Sequence, residues 1–443
     1  MRLLFSCIFA AGVAAAATPT YQKDIAPILQ KHCQECHRPG EIAPMSLMSY
    51  KDSRPWAKSI RQAVLVKKMP PWSADPHYGK FSNDRSLTQS EIDTLAAWAD
   101  GGAPEGNPND APAPVQFAEG WTIGKPDLVL DMGADYKVPA SGTIAYTNFV
   151  VHTGFTEDKW VKEVEVRPGN TSVVHHIVLY ARPKGSSYDA DAKPGEPFVG
   201  SSQPPQKNRP PQSDIGQLTG LFAAPGAGPV EMIGLYLPGG TVYKTGQGQA
   251  RLIPAGSDLI FSMHYTANGK ESLDRSKVGI NFAKEPPKER VVNAYVVNQT
   301  LRIPPGEPNH RVDARLTLQQ EAKLQTLIPH MHLRGKGFEF EVTYPTGETE
   351  TLLKVPRYDF NWQIAYELAK PITLPKGTLI HMTVFYDNSP NNPANPDPTN
   401  EVFWGDQSWE EMATGFVDLA IPAEMDPIRL VTPRTFAPQA ARQ

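Results

Sequence analysis

Apolar residues recur with two different periods along this chain, and the change of period divides it. Between residues 20 and 105 the spacing is helical. Tyr21, Ile25, Ile28 and Leu29 fall on one face, with Asp24 able to cap the segment and Pro27 tolerated in its first turn. Trp56, Ile60, Ala63 and Val64 predict a second helix. Thr88 and Glu91, spaced as a capping box, open a third that should end at Gly101-Gly102. From about Trp121 the runs become short, β-branched and aromatic, and are separated by Pro, Gly and Asn: Ile144–Val151, Val173–Tyr180, Leu252–Tyr265, Phe338–Tyr344 and Thr378–Tyr386. That pattern predicts antiparallel β-sandwiches. Arg182 to Gly228, rich in Pro, Gly and Ser, reads as a long surface loop or flap. The expected architecture is multidomain: a small all-α domain at 18–105, a Pro/Asn/Ala-rich linker at 106–120, and all-β sandwiches at 121–287 and 288–430. The last boundary falls near Glu285–Glu289, where Pro-Pro and alternating charges interrupt the strands.

A length of 443 residues suits such a division, being too long for one ordinary core. The net charge of −4 and the absence of a basic stripe argue against a nucleic-acid partner. Arg2, the apolar run Leu3 to Val13 and the small residues Ala14 to Ala17 read as a signal peptide over 1–17, so the protein is expected to be periplasmic or secreted. No later segment offers the ~20 apolar residues of a transmembrane helix. Only Cys7, Cys33 and Cys36 are present, and the mature chain keeps the last two. A disulfide framework is thereby excluded, and a chemical use for the pair is implied.

Cys33-Gln34-Glu35-Cys36-His37 is a C-x-x-C-H segment. Two thiols at this spacing can form thioethers to both haem vinyls, with the adjacent imidazole held against the iron. The competing reading, a redox dithiol, requires a βαβ setting that residues 20–105 do not offer. Met69, in Lys67-Lys68-Met69-Pro70-Pro71-Trp72, is the choice for sixth ligand, with Met45 and Met48 as competitors. His32 and His77 are read as surface histidines. Residues 20–105 resemble the small class I cytochromes c, which implies covalently bound haem c.

Beyond this region five histidines stand out: His175-His176, His264 and His330-x-His332. Residues i and i+2 of a strand share a face, so His330 and His332 can chelate one metal while Met331 faces away. His175 and His176 would point to opposite faces unless a bulge or twisted strand end intervenes. Taken singly these pairs are weak signals, and zinc is the commonest occupant of an H-x-H pair.

The words Val-Val-His175-His176-Ile-Val-Leu-Tyr, Phe-Ser-Met-His264-Tyr, His330-Met-His332-Leu-Arg-Gly-Lys and Ser408-Trp-Glu-Glu-Met412, in this order, resemble the copper type II, ascorbate-dependent monooxygenases. That is the family of peptidylglycine α-hydroxylating monooxygenase and dopamine β-monooxygenase, and the resemblance spans roughly residues 120–425. It implies two jelly-roll-like sandwiches, one copper on His175, His176 and His264, and a second, catalytic copper on His330, His332 and Met412. It further implies O₂-dependent hydroxylation of a C–H bond. The fused haem, absent from the animal enzymes of that family, is expected to relay electrons from an external donor in place of ascorbate. His152, His310 and His381 match no ligand word and are assigned structural roles. The chain departs from the family in having no cysteine after Cys36. It also carries Ile328 where the peptide hydroxylase has a carboxylate-gripping arginine, and Thr414 and Phe416 where that enzyme has Asn and Tyr. A small apolar or aromatic substrate is therefore expected. The same ligands would also serve a periplasmic electron-transfer or copper-handling protein.

Overall fold

The computed structural model describes residues 18–431 apart from 119, 187–190, 200–214, 217, 220–221, 224–228, 238–239 and 241. The signal segment 1–17 lies outside the described residues, as does most of the expected 182–228 loop. The chain forms two compact units, Met1–Pro71 with Arg85–Gln116, and Trp72–Asp84 with Phe117–Gln443. Two boundaries thus differ from the sequence expectation. Residues 72–84 leave the helical unit, and residues 106–116 join it.

The first unit is helical. A π-turn at Tyr21–Ile25 leads into the helix Ala26–His32, and Asp24 reaches back to accept the Thr20 N–H at 2.7 Å. Ala57–Leu65 and Gln89–Asp100 follow. The last opens with the Thr88/Glu91 capping box, both halves formed, and closes at Gly101. Ile25, Leu29, Leu95 and Trp98 are fully buried between them. His32 is not a surface residue: its side chain is 4 % exposed, with Nδ1 3.2 Å from the Arg85 carbonyl and Nε2 3.2 Å from Glu91. It lies on the side of its helix that packs against the capped end of the third. The Pro-rich stretch after residue 103 lies along this unit, with Ala113 O accepting from Gln30 and Pro104 O from the Trp98 indole.

The second unit is mostly β-sheet. One sheet of the described residues runs in the order Leu128–Asp131, Lys277–Phe282, Lys159–Arg167, Gln249–Ile253, Glu289–Val297, Thr414–Pro422, Ala322–His330, Tyr366–Leu374. Two five-stranded sheets face it. The first contains Thr147–His152, Asp258–Tyr265, Val174–Arg182 and Pro229–Tyr236; the second contains Thr349–Val355, Gly335–Thr343, Leu379–Tyr386 and His310–Thr317. Separate apolar cores fill the two sandwiches, one around Val164, Leu179, Phe261 and Ile280, the other around Val292, Leu324, Phe340 and Met382. The sequence boundary near Glu285–Glu289 separates the cores but not the sheet. Gln249 and Ala250 pair in parallel with Glu289 and Arg290, so the long sheet is continuous across both sandwiches. The Leu252–Tyr265 run resolves into two strands turned at Pro254–Ser257, where Ser257 N–H donates back to the Pro254 carbonyl. Among the described residues no helix is long and apolar enough to cross a membrane.

Candidate metal centre

His176 and His264 sit opposite each other on antiparallel strands, and the register then shifts so that Tyr265 faces Val174. His175 is the extra residue of that bulge. A bulge re-aims its side chain, and this one removes the objection that adjacent strand residues diverge. The ligand atoms of His175, His176 and His264 all lie within 4.8 Å of one another. Nδ1 of His176 is 3.0 Å from Nδ1 of His175 and 3.4 Å from Nδ1 of His264. The outer nitrogens are held elsewhere: His176 Nε2 lies 3.0 Å from the Tyr146 hydroxyl, and His264 Nε2 lies 3.1 Å from Ser408 Oγ. With the Nε2–H groups of His176 and His264 turned to these oxygens, the Nδ1 lone pairs of those two rings face each other beside His175 Nδ1, an arrangement a cation relieves. Two nitrogens each about 2.0 Å from one ion, the length known for zinc–imidazole bonds, stand about 3.0–3.4 Å apart at ligand angles of roughly 97–116°. The donor set fits a single bound metal ion.

The strand Ala322–His330 ends at the first residue of the H-x-H pair. Its alternation is carried one step further by a buried carboxylate, Glu411, whose oxygens accept the His332 N–H at 2.8 Å and the Arg334 N–H at 2.6 Å. Met331 faces the apolar core, as alternation requires. His330 Nδ1–H donates to Gln363 Oε1 at 2.6 Å, and His332 Nδ1–H donates to the Glu410 carbonyl at 3.2 Å. Both rings therefore keep Nε2 for another partner. That of His332 is fully buried and has no hydrogen bond. An orphaned imidazole nitrogen in a dry site is costly unless it ligates something.

Met412 belongs to the same stitched region. His330 pairs with Thr414 across antiparallel strands, and Met412 precedes Thr414 by two residues. The Met412 carbonyl accepts from the buried Tyr386 hydroxyl at 2.7 Å. Beside His330 lie the Phe416 ring, 5.7 Å away, and the buried Ile328, which pairs with Phe416. The Thr414 hydroxyl is buried there without a partner.

Two rings unannounced by the sequence patterns link the histidine sets. Tyr146 stacks on His264 at 4.6 Å and lies 6.5 Å from His332. Phe360 stacks on His175 at 5.2 Å, with His264 at 5.6 Å and His332 at 6.2 Å. Gln363, Ser408 and Glu411 were also missed. The last two share a sequence word with Met412, which is the signal that could have flagged them. Burial pushes all five imidazoles down, His175 and His330 to about 4 and His332 to about 3, so they are neutral near neutral pH. Burial also pushes the Glu411 carboxyl up to about 8, against the pull of the two N–H groups. His152 and His381 pair with Asp258 and Asp313, consistent with structural roles.

In the helical unit, Cys33 and Cys36 are free, half-buried thiols at the end of the helix Ala26–His32. His37 Nδ1–H donates to the Met45 carbonyl at 3.1 Å, which fixes the tautomer and leaves the Nε2 lone pair available. Met45 thereby serves through its backbone. Met69 is half-buried in the loop after Ala57–Leu65, and the neighbouring Leu65 and Val66 are exposed apolar residues of the kind a porphyrin edge covers. Thiols, imidazole tautomer and apolar surface fit a covalently attached haem.

No protein-family profile and no curated protein matches the chain. Solved structures that are similar include the infectious bursal disease virus VP2 subviral particle, with 9% identity over 69% of this chain and 74% of that one at a TM-score of 0.19. The major capsid protein P2 of bacteriophage PM2 shares 9% identity over 70% and 98% at 0.24, and an allantoicase 8% over 57% and 81% at 0.15. Likenesses this weak carry no argument about fold or function, and the comparisons assign the chain to no family.

Proposed function

We propose that this protein is an exported copper-dependent monooxygenase that hydroxylates a C–H bond of a small apolar or aromatic substrate with O₂. Its helical unit is read as a cytochrome c, with haem on Cys33, Cys36 and His37, Met69 as sixth ligand, and an external donor supplying electrons. The observation that carries the reading is the pair of distinct donor sets: three converging imidazoles, and an H-x-H pair whose Nδ1 atoms are engaged while the Nε2 atoms are left open.

Copper bound to these sets would supply one-electron chemistry and O₂ activation. The chain's own residues do the rest. Gln363 and Glu410 hold the His330 and His332 rings so that neither tautomer nor rotation is lost. The thioether of Met412 is a soft donor that favours the reduced ion and disfavours zinc. Phe416 and Ile328 make the surface beside His330 apolar, which excludes water and suits a hydrocarbon C–H bond. The Thr414 hydroxyl is the polar atom there that a substrate group can engage. No cation stands at position 328 to hold a peptide carboxylate. Cys33 is pushed up to about 12, chiefly by burial, and Cys36 is raised as well. Neither is a thiolate near neutral pH, which disfavours disulfide exchange, whose attacking thiols have lowered pKa values.

Mature protein expressed with haem-attachment machinery should bind one copper per histidine set and keep its haem through denaturation. O₂ uptake should match the yield of an oxygenated product, and glycine-extended peptides should be poor substrates. Stoichiometric zinc without copper after copper-replete expression, or O₂-independent behaviour of a copper-loaded protein, overturns the reading.

A further inference from the structure

We infer that the segment Gln407–Met412 couples the two histidine sets, with Ser408 as the positioning residue, so that metal ions load them cooperatively. The inference rests on the proposed reading that both sets bind copper. Within these six residues Ser408 meets one set, and Glu410 and Glu411 meet the other. Gln407 Oε1 accepts the backbone N–H of Tyr146 at 3.0 Å, and Tyr146 in turn stacks on His264 and meets His176 Nε2. Ser408 Oγ lies 3.1 Å from His264 Nε2. The Trp409 carbonyl accepts from Arg334 at 3.0 Å and the Glu410 carbonyl from His332 Nδ1 at 3.2 Å. Glu411 accepts the His332 and Arg334 N–H groups, and Met412 follows directly. Gln407, Ser408 and Glu411 are all buried, so these bonds are not diluted by solvent.

The physical link is short. Loading Nδ1 of His264 makes its Nε2–H a stronger donor to Ser408. A firmer Ser408 narrows the conformations of the next four residues, which present the Glu410 carbonyl, the Glu411 carboxylate and Met412 to the other set. The ordering cost of the second site is then already met, and by linkage the effect is reciprocal.

The test is a Cu(II) titration of the full-length protein followed by electron paramagnetic resonance, which separates the two coordination environments. Removing the second set with His330→Ala/His332→Ala should weaken copper binding at the three-histidine set about fivefold or more, the low end of ordinary coupling between sites. In a Ser408→Ala background that loss should vanish, and Ser408→Thr, which keeps a hydroxyl, should restore it. Equal affinity of the three-histidine set with and without His330 and His332, or coupling undiminished in Ser408→Ala, overturns the inference while leaving the copper reading intact. Failure of either set to take up copper overturns the copper reading itself, and the coupling with it.

Discussion

Glu411 is fully buried, and it holds the alternate N–H groups of His332 and Arg334, one on each oxygen. Glutamine at this position keeps one acceptor but turns an amide nitrogen, which has no lone pair to offer, toward the other N–H. Glu411→Gln should therefore cost about 1–3 kcal/mol, the usual penalty for an unsatisfied buried donor. The expected readout is a lower urea midpoint with an unchanged denaturant slope. The neighbouring imidazoles make stability depend on pH. Burial holds His175 and His330 down to about 4 and His332 to about 3, whereas an unfolded imidazole titrates near about 6.5. As pH falls from about 6.5 the unfolded chain takes up protons that the folded, metal-free protein refuses. Their contribution is thus complete above that pH and is lost toward about 4, at about 1.4 kcal/mol per pH unit for each imidazole. Denaturation of metal-free protein across this range checks the sign. A variant lacking His330 and His332 should show a shallower fall, and an unchanged slope would contradict the assignment.

Among the elements, the bulge at His175 decides most. A strand alternates its side chains with a period of two, so perfect register would send His175 away from His176 and His264. One extra residue at the end of Val174–Arg182 brings all three to one point. Helix ends matter in the same local way. Thr88 and Glu91 exchange hydrogen bonds at the start of Gln89–Asp100, with Thr88 Oγ1 accepting the Glu91 N–H at 3.2 Å and Glu91 accepting the Thr88 N–H at 2.8 Å. Thr88→Ala should lower the stability of the helical unit by about 1 kcal/mol. Thermal unfolding followed by far-ultraviolet circular dichroism checks it, and copper uptake by the histidine sets of the second unit should not change.

At the scale of the whole second unit, the two sandwiches are held by more than a shared sheet. Arg251, from Gln249–Ile253, pairs at 2.9 Å with Asp418, from Thr414–Pro422. Asp418 also accepts from Asn293 at 2.9 Å and from the Tyr243 hydroxyl. Arg290 pairs nearby with Glu231 at 2.9 Å. The Arg251 and Asp418 side chains are 2 % and 4 % exposed, and a charge left alone at such depth is strongly unfavourable. Asp418→Asn should destabilise the unit by about 3–5 kcal/mol, the range for breaking a buried pair from one side. Chemical denaturation of the metal-free protein measures it; a change below about 1 kcal/mol, the scale of an exposed pair, would mean the network contributes little to the join.

What the sequence determined by itself was whatever is written in short-range pattern: the three helices and the Thr88/Glu91 capping box, the strand periodicity, the C-x-x-C-H segment and the identity of the histidine words. Local spacing dictates those because backbone hydrogen bonding and side-chain alternation act over a few residues. What only the tertiary structure decided depends on residues far apart in the chain. His175 joins its neighbours through a bulge that its own strand does not announce. Residues 72–84 leave the helical unit because Trp72 and Phe81 pack on Tyr366 and Phe81 bridges to Leu368. The boundary near Glu285–Glu289 vanishes into a sheet because Gln249 pairs across it. Tyr146, Phe360, Gln363 and Ser408 reach the histidines from three loops, with no periodicity to mark them. Their roles are set by which surfaces packing brings face to face, and that is a property of the folded chain alone.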